Sequence, residues 1–284
     1  MRRLILLMHC PDKKGIIAAV TNFIHQRNGN IVYIDQYVDR IQGAFFMRIE
    51  VEGNFDLSNF ERFKTNFENE LGNPFQMSCS FYLADILPKM AVFVSKYDHC
   101  LYDILAQQSS GKLACEIPFI TSNHKDLEPI AKQFNIPFYH IPVTKDTKEE
   151  AEQKQLDLLK KYEIDCVVLA RYMQIISSRI IDVYSSKIIN IHHSFLPAFP
   201  GAKPYHSAFQ RGVKIIGATS HYVTEELDAG PIIEQDTIRV SHGHEVKDFI
   251  LKGQDLERIV LLRALKLHCE RKIMTYNNKT IVFN

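Results

Sequence analysis

The first 84 residues alternate between two hydrophobic periods, one typical of strands and one typical of helices. The segments in order are a strand at 2–10, a helix at 15–27, strands at 31–39 and 43–53, a helix at 57–71 and a strand at 74–84. The resulting order, β-α-β-β-α-β, is typical of a ferredoxin-like domain. One layer of helices on an antiparallel sheet can bury its own core, so this part is predicted to fold as a domain.

A different pattern begins at residue 91. Short apolar segments without polar alternation, at 91–95, 115–122, 137–143 and 165–170, are separated by helical segments at 100–110, 126–134 and 149–162. Such strands indicate a parallel sheet that is covered on both faces. Closer strands then follow at 214–224 and 230–240, before a long helix at 246–272 and a terminal hairpin. The pattern predicts a doubly wound, mostly parallel sheet.

The fold class is therefore α/β with two domains. We expect a ferredoxin-like domain over 1–84, a linker over 85–89 and a doubly wound domain over 90–284. The length of 284 residues exceeds that of an average domain, which agrees with this division.

Composition narrows the classes of partner. The formal net charge is +1 and 24% of the residues are charged, so nothing favours binding to nucleic acid or to an anionic membrane. No apolar stretch approaches the roughly 20 residues of a membrane span, and 1–15 reads as a strand and turn, not as a signal peptide. The six cysteines lack C-x-x-C spacing, which predicts free thiols, no zinc site and a cytoplasmic location.

Candidate chemistry lies in the segment "NIHHSFLPAFPG" (190–201), where a short apolar strand ends. Ligands of open parallel sheets bind beyond the carboxyl ends of strands. Asn190 and His192 are two positions apart, so on a strand their side chains leave the same face. An amide N–H and an imidazole N–H are suitable donors to an oxyanion that forms as a carbonyl becomes tetrahedral.

A third group is needed to orient the histidine or to move protons. Asp228 in "TEELDAGP" is the candidate, although from this motif alone a turn carboxylate bonded to its own backbone is the favoured alternative. The neighbouring Glu225 and Glu226 read as solvated loop charges. Motifs for a serine nucleophile, a phosphate loop, a zinc protease and a dinucleotide site are all missing, so neither serine catalysis nor a nucleotide cofactor is supported.

The segment "NIHHSFLPAFPGAKPYHSAFQRGVKIIGATSHYVTEELDAGPIIEQ" resembles the signature region of the formyltransferase family that uses 10-formyltetrahydrofolate. The motifs N-x-H-x-S-x-L-P and H-x-V-x-x-x-x-D-x-G-P occur in the family's order and spacing. The resemblance covers residues 90 to 284. It implies that Asn190, His192 and Asp228 are the catalytic residues.

The resemblance also implies a pocket for the pterin ring. Its lining, largely through backbone groups, would be Ala170, Arg171, Tyr172, Met173, Gln174, Ile175 and Ile176. The loop with Glu225, Glu226 and Leu227 would close the other side, near His193, Gly201 and His221. The alternatives are that Met173 and Ile175 are plain core residues and that His221 is a core histidine.

Three features indicate the hydrolytic branch of the family. The N-terminal segment resembles an ACT domain, with Gly15 in its strand-to-helix turn, and His193 stands where transformylases usually carry proline. The third is the segment "VSKYDHCLYD", which lacks the glycine of a phosphate-binding loop and carries Asp98, which would repel an anion. An acceptor phosphate is therefore disfavoured, and water can take the place of the acceptor amine.

The implied reaction is hydrolysis of 10-formyltetrahydrofolate to tetrahydrofolate and formate, within one-carbon metabolism and purine biosynthesis. The folate is the substrate, and neither a prosthetic group nor a metal is expected, because the Asn and His donors supply the polarisation. The alternatives are a transformylase that acts on glycinamide ribonucleotide or methionyl-tRNA, and a non-catalytic folate or amino-acid sensor.

The ACT-like part is predicted to be regulatory. By resemblance, an amino acid such as glycine or methionine would bind around Asp12 and Gly15, together with Asn28 and Asn30. These residues also suit an ordinary turn and cap. Because such domains commonly pair side by side, we expect a homo-oligomer, either a dimer or a tetramer.

Overall fold

The computed structural model describes residues 1–197 and 204–284, and the chain divides into two compact units. The first unit contains Met1–Leu87, Arg271–Met274 and Ile281–Asn284, and the second contains Pro88–Glu270 and Thr275–Thr280. The second unit therefore holds less of the C-terminal hairpin than the predicted domain over 90–284. The reason is local: the buried Arg48 donates through Nε to the carbonyl oxygen of Arg271 at 2.9 Å, which ties the hairpin end to the first unit.

The first unit has the predicted β-α-β-β-α-β order. Its elements are β1 (Arg2–Pro11), α1 (Ile16–His25), β2 (Asn30–Asp39), β3 (Ala44–Gly53), α2 (Leu57–Phe67), a π-helical turn (Glu68–Gly72), the single turn α3 (Asn73–Phe75) and β4 (Ser78–Leu83). The antiparallel sheet has the order β2-β3-β1-β4. This confirms the predicted ferredoxin-like fold.

The core of the first unit is apolar side chains from one face of the sheet and from both long helices. Phe67 is fully buried, and its ring meets Phe23 and Phe81 edge to face at centroid distances of 5.1 Å and 5.5 Å. Such aromatic pairs add to the stability that burial alone provides. The small domain therefore has a dense core of its own.

The second unit is built around one seven-stranded sheet. Its elements are β5 (Lys89–Val94), α4 (His99–Ser109), β6 (Glu116–Ser122), α5 (Glu128–Gln133), β7 (Phe138–His140), α6 (Lys148–Lys161), β8 (Cys166–Leu169), α7 (Ser178–Val183), β9 (Ile188–His192), α8 (Pro204–Arg211), β10 (Ile215–Tyr222), β11 (Ile232–Arg239) and α9 (Val246–Cys269). The hairpin of β12 (Ile273–Tyr276) and β13 (Lys279–Val282) follows.

The sheet is parallel in one part and antiparallel in the other. The strand order is β11-β10-β9-β8-β5-β6-β7, with β9, β8, β5, β6 and β7 parallel to one another and β10 and β11 added in antiparallel pairing. The central strands β5 and β8 are almost wholly buried, as expected for a sheet covered on both faces. This confirms the predicted mostly parallel, doubly wound domain.

Two other findings bear on the sequence predictions. All six cysteines have free thiols, and five of them are buried. In the described parts of the chain, no helix combines the length and the apolar character that crossing a membrane requires.

Candidate active site

Three neighbouring strands place the candidate catalytic residues. On β9, Asn190 and His192 lie on one face of the strand. The register of the antiparallel pair β9–β10 sets Asn190 opposite His221, and the parallel pair β8–β9 sets Asn190 beside Leu169. The loop that leaves β8 therefore begins next to Asn190. The backbone register of these strands therefore brings the segments of the site together.

Asp228 comes to this strand end from the loop between β10 and β11. Its Oδ2 lies 3.2 Å from Nδ1 of His192, and its Oδ1 lies 3.7 Å from Nε2 of His221. Its backbone is left-handed, with φ of 56°, a conformation that Asp and Asn adopt more readily than most residues. The carboxylate contacts two histidines that are distant in sequence, which a turn residue bonded only to its own backbone would not do.

The loop reaches this position through a close approach of two backbones. A Cβ at Gly230 would lie 1.8 Å from the carbonyl oxygen of Tyr222 on β10, and the N–H of Tyr222 donates to the carbonyl of Pro231 at 2.9 Å. Only glycine leaves room for this contact. Gly230 therefore fixes the distance between the Asp228 loop and the end of β10.

The electrostatics of the site follow from these contacts. The hydrogen bond from His192, and after it the nearby ring of His221, hold the pKa of the Asp228 carboxyl well below its usual range, against the opposing effect of partial burial. Asp228 is thus a carboxylate at neutral pH. It can accept protons or hydrogen bonds but has none to donate.

His192 presents one ring nitrogen to Asp228 and the other to the pocket. Nδ1 faces the carboxylate at 3.2 Å, whereas Nε2 is buried and has no hydrogen-bond partner among the residues that the structure describes. A buried, unpaired ring nitrogen is costly unless a ligand pairs with it. Nε2 is therefore the atom that this arrangement offers to a ligand.

His221 orients the amide of Asn190. Its Nδ1 lies 2.9 Å from the carbonyl oxygen of Tyr222, which can only accept, so Nδ1 carries a proton. In the neutral ring Nε2 then accepts from Nδ2 of Asn190, at 3.2 Å. One amide hydrogen is used in this way and the second is available to a ligand. His221 thus does more than fill the core, although it is almost fully buried.

A pocket of about 310 Å³ opens in front of these residues. Its lining is Leu169, Arg171, Tyr172, Met173, Gln174, Ile175, Ile176, Asn190, Ile191, His192, His193, His221, Val223, Thr224, Glu225, Leu227 and Asp228. Of the predicted site residues, the buried Ala170 and the exposed Glu226 are not in this lining, and Gly201 lies outside the described residues. Leu169, Ile191, Val223 and Thr224 line it without having been predicted.

Residues 170–176 form one wall of the pocket, and polar side chains behind them hold this wall. Gln155 Nε2 donates to Tyr172 Oη at 2.9 Å, Met173 N donates to Ser95 Oγ at 2.9 Å, and Ser177 N donates to Glu152 Oε1 at 2.9 Å. The partners come from α6 and from the end of β5. The wall is therefore fixed in place before any ligand binds.

Apolar side chains stand at the mouth of the pocket. Met173 is 48% exposed, Ile175 is 63% exposed and Leu227 is 65% exposed. Exposed apolar groups clustered at a cavity mark a binding surface for an apolar ligand. The alternative that Met173 and Ile175 are plain core residues is therefore wrong.

A buried charged cluster behind the pocket was missed from the sequence. Glu257 on α9 is fully buried, and its carboxylate accepts from Tyr205 Oη at 2.6 Å, lies 2.8 Å from His99 Nε2 and lies 3.5 Å from Arg171 Nε. Arg171, which lines the pocket, has a left-handed backbone with φ of 61°. The sequence did indicate an unusual role for Glu257, because it is a charged residue on the apolar stripe of α9.

The same cluster is the one group of three possible metal ligands among the described residues. Atoms of His99, Cys100 and Glu257 lie within 4.8 Å of one another. Burial, first of all, raises the pKa of the Cys100 thiol well above its ordinary value, and Glu257 is already paired with Arg171 and Tyr205. A neutral thiol and an occupied carboxylate are poor ligands for a cation.

The predicted regulatory residues form two separate pairs. Asp12 and Gly15 precede α1, whereas Asn28 and Asn30 follow it, and the helix has ten residues, a length of about 15 Å. All four are exposed. Within one chain a small amino acid cannot contact both pairs at once. Gly15 has φ of 91° and open space around its Cβ position, so its glycine is required by backbone conformation.

Comparison with known proteins defines the class of protein. Residues 88–265 match the family model for the formyl transferase domain, and residues 4–61 match that for the ACT domain. The chain thus belongs to the formyl transferase family and carries an N-terminal ACT domain.

The match to individual proteins extends over the whole chain. The formyltetrahydrofolate deformylase of Synechocystis sp. is 52% identical over 279 residues, which cover 98% of this chain and 97% of that protein. The deformylase of Bacillus subtilis is 45% identical, with 98% and 93% covered. The crystal structure of a deformylase from Pseudomonas syringae pv. tomato has 43% identity and a TM-score of 0.95, with 100% and 95% covered. The chain belongs to the formyltetrahydrofolate deformylase family.

The close approach at Gly230 leads to a first prediction. We expect Gly230→Ala to lower the free energy of unfolding by about 1–3 kcal/mol, because the added Cβ overlaps the Tyr222 carbonyl and displaces the Asp228 loop. Gly243→Ala is the matched control, since its Cβ would meet nothing nearer than 3.8 Å. Denaturant titration measures both changes. Equal, small effects in the two variants would contradict the proposed constraint.

The lowered pKa of Asp228 leads to a second prediction. Because the folded-state pKa lies below the unfolded value, the ionised carboxylate contributes stability above the unfolded pKa, and the contribution fades as pH falls through and below that value. We expect Asp228→Asn to cost on the order of 1–2 kcal/mol at pH 7 and progressively less below about pH 4. Denaturant titrations of both proteins across this range measure the difference, and a difference that grows in acid would refute the assignment.

Proposed function

We propose that this protein hydrolyses 10-formyltetrahydrofolate to tetrahydrofolate and formate. The observation that carries the proposal is similarity to formyltetrahydrofolate deformylases along the entire chain, the ACT part as well as the formyl transferase part. The local geometry supports the same chemistry, because two hydrogen-bond donors and one carboxylate converge on a pocket with an apolar mouth.

The formyl oxygen of the substrate binds between Asn190 and His192 in this proposal. The free hydrogen on Asn190 Nδ2 donates to it, and in the imidazolium form, in which both ring nitrogens carry protons, His192 Nε2 donates as well. Negative charge grows on this oxygen as the carbonyl becomes tetrahedral, and prearranged donors of this kind are typically worth a few kcal/mol each. Asp228 keeps the His192 ring in the orientation that points Nε2 at the substrate.

Asp228 also serves the nucleophile. A water, bound directly or through a second water, transfers a proton to the carboxylate while its oxygen forms a bond to the formyl carbon. The tetrahedral intermediate then collapses: the bond from that carbon to the folate nitrogen breaks, and the nitrogen takes up the proton. The products are tetrahydrofolate and formate. Because the carboxylate is ionised at neutral pH, it is ready to act as the base.

The folate itself is held by the wall of residues 170–176 and by the loop that carries Asp228. The backbone groups of residues 170–176 can hydrogen-bond to the pterin ring. Met173, Ile175 and Leu227 offer apolar contact at the mouth of the pocket. Glu225 and Glu226 remain exposed on the loop, and Glu225 also reaches the pocket lining.

Folate enters as the substrate, so the proposed reaction needs no prosthetic group, and its polarisation is supplied by Asn190 and His192 without a metal. A cytoplasmic location remains a prediction from the free thiols and from the composition.

The assignment predicts that purified protein releases formate from 10-formyltetrahydrofolate at a steady rate without an added amine. Asp228→Asn should reduce kcat by about 10³-fold, because it removes the base while asparagine suits the same left-handed backbone. The matched control is Glu226→Gln, an exposed residue of the same loop that does not line the pocket. We expect this control to stay within about twofold of the wild type.

Other outcomes identify the alternatives. Release that requires glycinamide ribonucleotide or charged methionyl-tRNA would assign a transformylase. Folate binding without turnover in the wild type would assign a sensor. Equal losses in the Asp228→Asn and Glu226→Gln variants would remove Asp228 from the mechanism.

The ACT part is proposed to bind an amino-acid effector at the turn of Asp12 and Gly15, and the chain to form a dimer or tetramer. Calorimetric titration with glycine and with methionine is expected to show binding that Asp12→Ala weakens at least tenfold. Asn28→Ala, beyond the far end of α1, should bind as the wild type does if one turn forms the site. Absence of heat with both amino acids would remove this proposal.

A further inference from the structure

A second cavity shares one lining residue with the catalytic pocket. It has a volume of about 260 Å³ and a mainly apolar lining of His193, Ser194, Phe195, Pro204, Tyr205, Ala208, Val213, Ile215, Ile216, Gly217 and Thr237. Among the described residues that line the two cavities, His193 alone belongs to both. The imidazole of His193 is therefore the partition between the place where the formyl group reacts and an apolar space large enough for an aromatic ring.

The partition is held from both sides. The ring centroid of His193 lies 5.2 Å from that of His192 and 5.8 Å from that of Tyr205, and the side chain is 8% exposed. Two rings therefore pack against His193, one of which belongs to the catalytic residue His192.

Tyr205 is in turn locked onto helix α9. Its hydroxyl donates to Glu257 at 2.6 Å, and its ring occupies the place where a side chain at Gly253 would begin, 2.1 Å from the ideal Cβ position. Gly253 and Glu257 are one helical turn apart, so one face of α9 both receives the ring and binds its hydroxyl.

Glu257 is itself held by a histidine and an arginine. His99 and Arg171 lie 2.8 Å and 3.5 Å from its carboxylate, and no part of it reaches solvent. A buried carboxylate retains its place only while such partners compensate it. Since Arg171 also belongs to the pocket wall, the same carboxylate connects that wall with the partition.

We propose that His193, held by Tyr205 and Glu257, determines the specificity of the reaction by closing the space that the body of an amine acceptor would occupy. Water needs no such space, and so water is the nucleophile that reaches the formyl carbon. This inference rests on the proposed hydrolysis of a formyl folate. In it, His193 is a specificity-determining residue, and Tyr205 and Glu257 are positioning residues that act through it.

Removing the partition should allow formyl transfer. In His193→Ala the two cavities become continuous, and an uncharged aromatic amine such as aniline can place its ring in the apolar cavity. The amine nitrogen then bonds to the formyl carbon, the bond from this carbon to the folate nitrogen breaks, and the proton lost by the amine passes through Asp228 to the folate nitrogen. The products are formanilide and tetrahydrofolate.

The experiment measures formate and formanilide together, in reactions of 10-formyltetrahydrofolate with and without aniline. We expect His193→Ala to raise the ratio of formanilide to formate at least tenfold above the wild type. Val213→Ala is the matched control, because it enlarges the same cavity and leaves the partition intact. This control should give the wild-type ratio.

Tyr205→Phe provides a second variant that removes only the hydroxyl bond to Glu257. A ratio between those of the wild type and His193→Ala is expected, because the ring remains while its anchor is lost. This variant also tests the proposal if His193→Ala does not fold. An unchanged ratio of formanilide to formate in Tyr205→Phe would then contradict the proposal that Tyr205 and Glu257 hold His193 in place.

The outcomes separate this inference from the proposed function. Steady formate release by the wild type, with no formanilide from a folded and hydrolytically active His193→Ala, would overturn the partition and leave the deformylase assignment standing. Formanilide from the wild type at the variant's ratio would overturn the partition as well. If the wild type releases no formate, the deformylase assignment fails. A crystal structure of His193→Ala soaked with aniline then tests the partition alone. An aniline ring in the second cavity supports the partition, and an empty cavity overturns it.

Discussion

The pairing of β9 with β8 on one side and β10 on the other is the constraint on which the rest of the site depends. Because β9 and β8 are parallel, their carboxyl ends meet, and the wall of residues 170–176 starts beside Asn190. Because β9 and β10 are antiparallel, Asn190 faces His221 across the pair. A shift of one residue in either register would turn Asn190 and His192 to the opposite face of the sheet. The backbone ladder therefore decides which side chains can cooperate.

The Asp228 loop completes the site by means of backbone geometry. Two conditions bring the carboxylate to His192: a left-handed backbone at Asp228 and the contact of Gly230 with the carbonyl of Tyr222. Neither involves the chemistry of the reaction. They nevertheless shape the electrostatics of the site, because the contacts that lower the pKa of this carboxyl exist only when the loop is in place.

Much of this arrangement could be predicted from the sequence because it is encoded locally. Two polar residues two positions apart at the end of an apolar strand, followed by prolines, indicate a strand-end site, and the hydrophobic periods indicate both domains. The helix between Gly15 and Asn28 is also encoded locally, and its length implies that the two predicted regulatory pairs lie far apart.

What could not be predicted depends on contacts between distant segments. Glu257, His99 and Tyr205 come from three helices, and nothing in their local patterns indicates that they meet. The same holds for the left-handed backbone of Arg171, which is a bulky residue where local rules favour glycine. The side-chain positions of Met173 and Ile175 also depended on the pocket, because their apolar character alone was compatible with a core.

The contacts of helix α9 limit how parts of this protein can be exchanged with parts of a relative. Through Gly253 and Glu257 it receives Tyr205 and neutralises Arg171, so it carries part of the catalytic pocket although it follows every predicted catalytic residue in the chain. A chimera that joins the strands of this protein to the last helix of a relative would keep Asn190, His192 and Asp228. It would nevertheless separate them from the helix that shapes their surroundings. To transfer this site intact, the carboxyl end of β9 with its neighbouring loops must be moved together with α9.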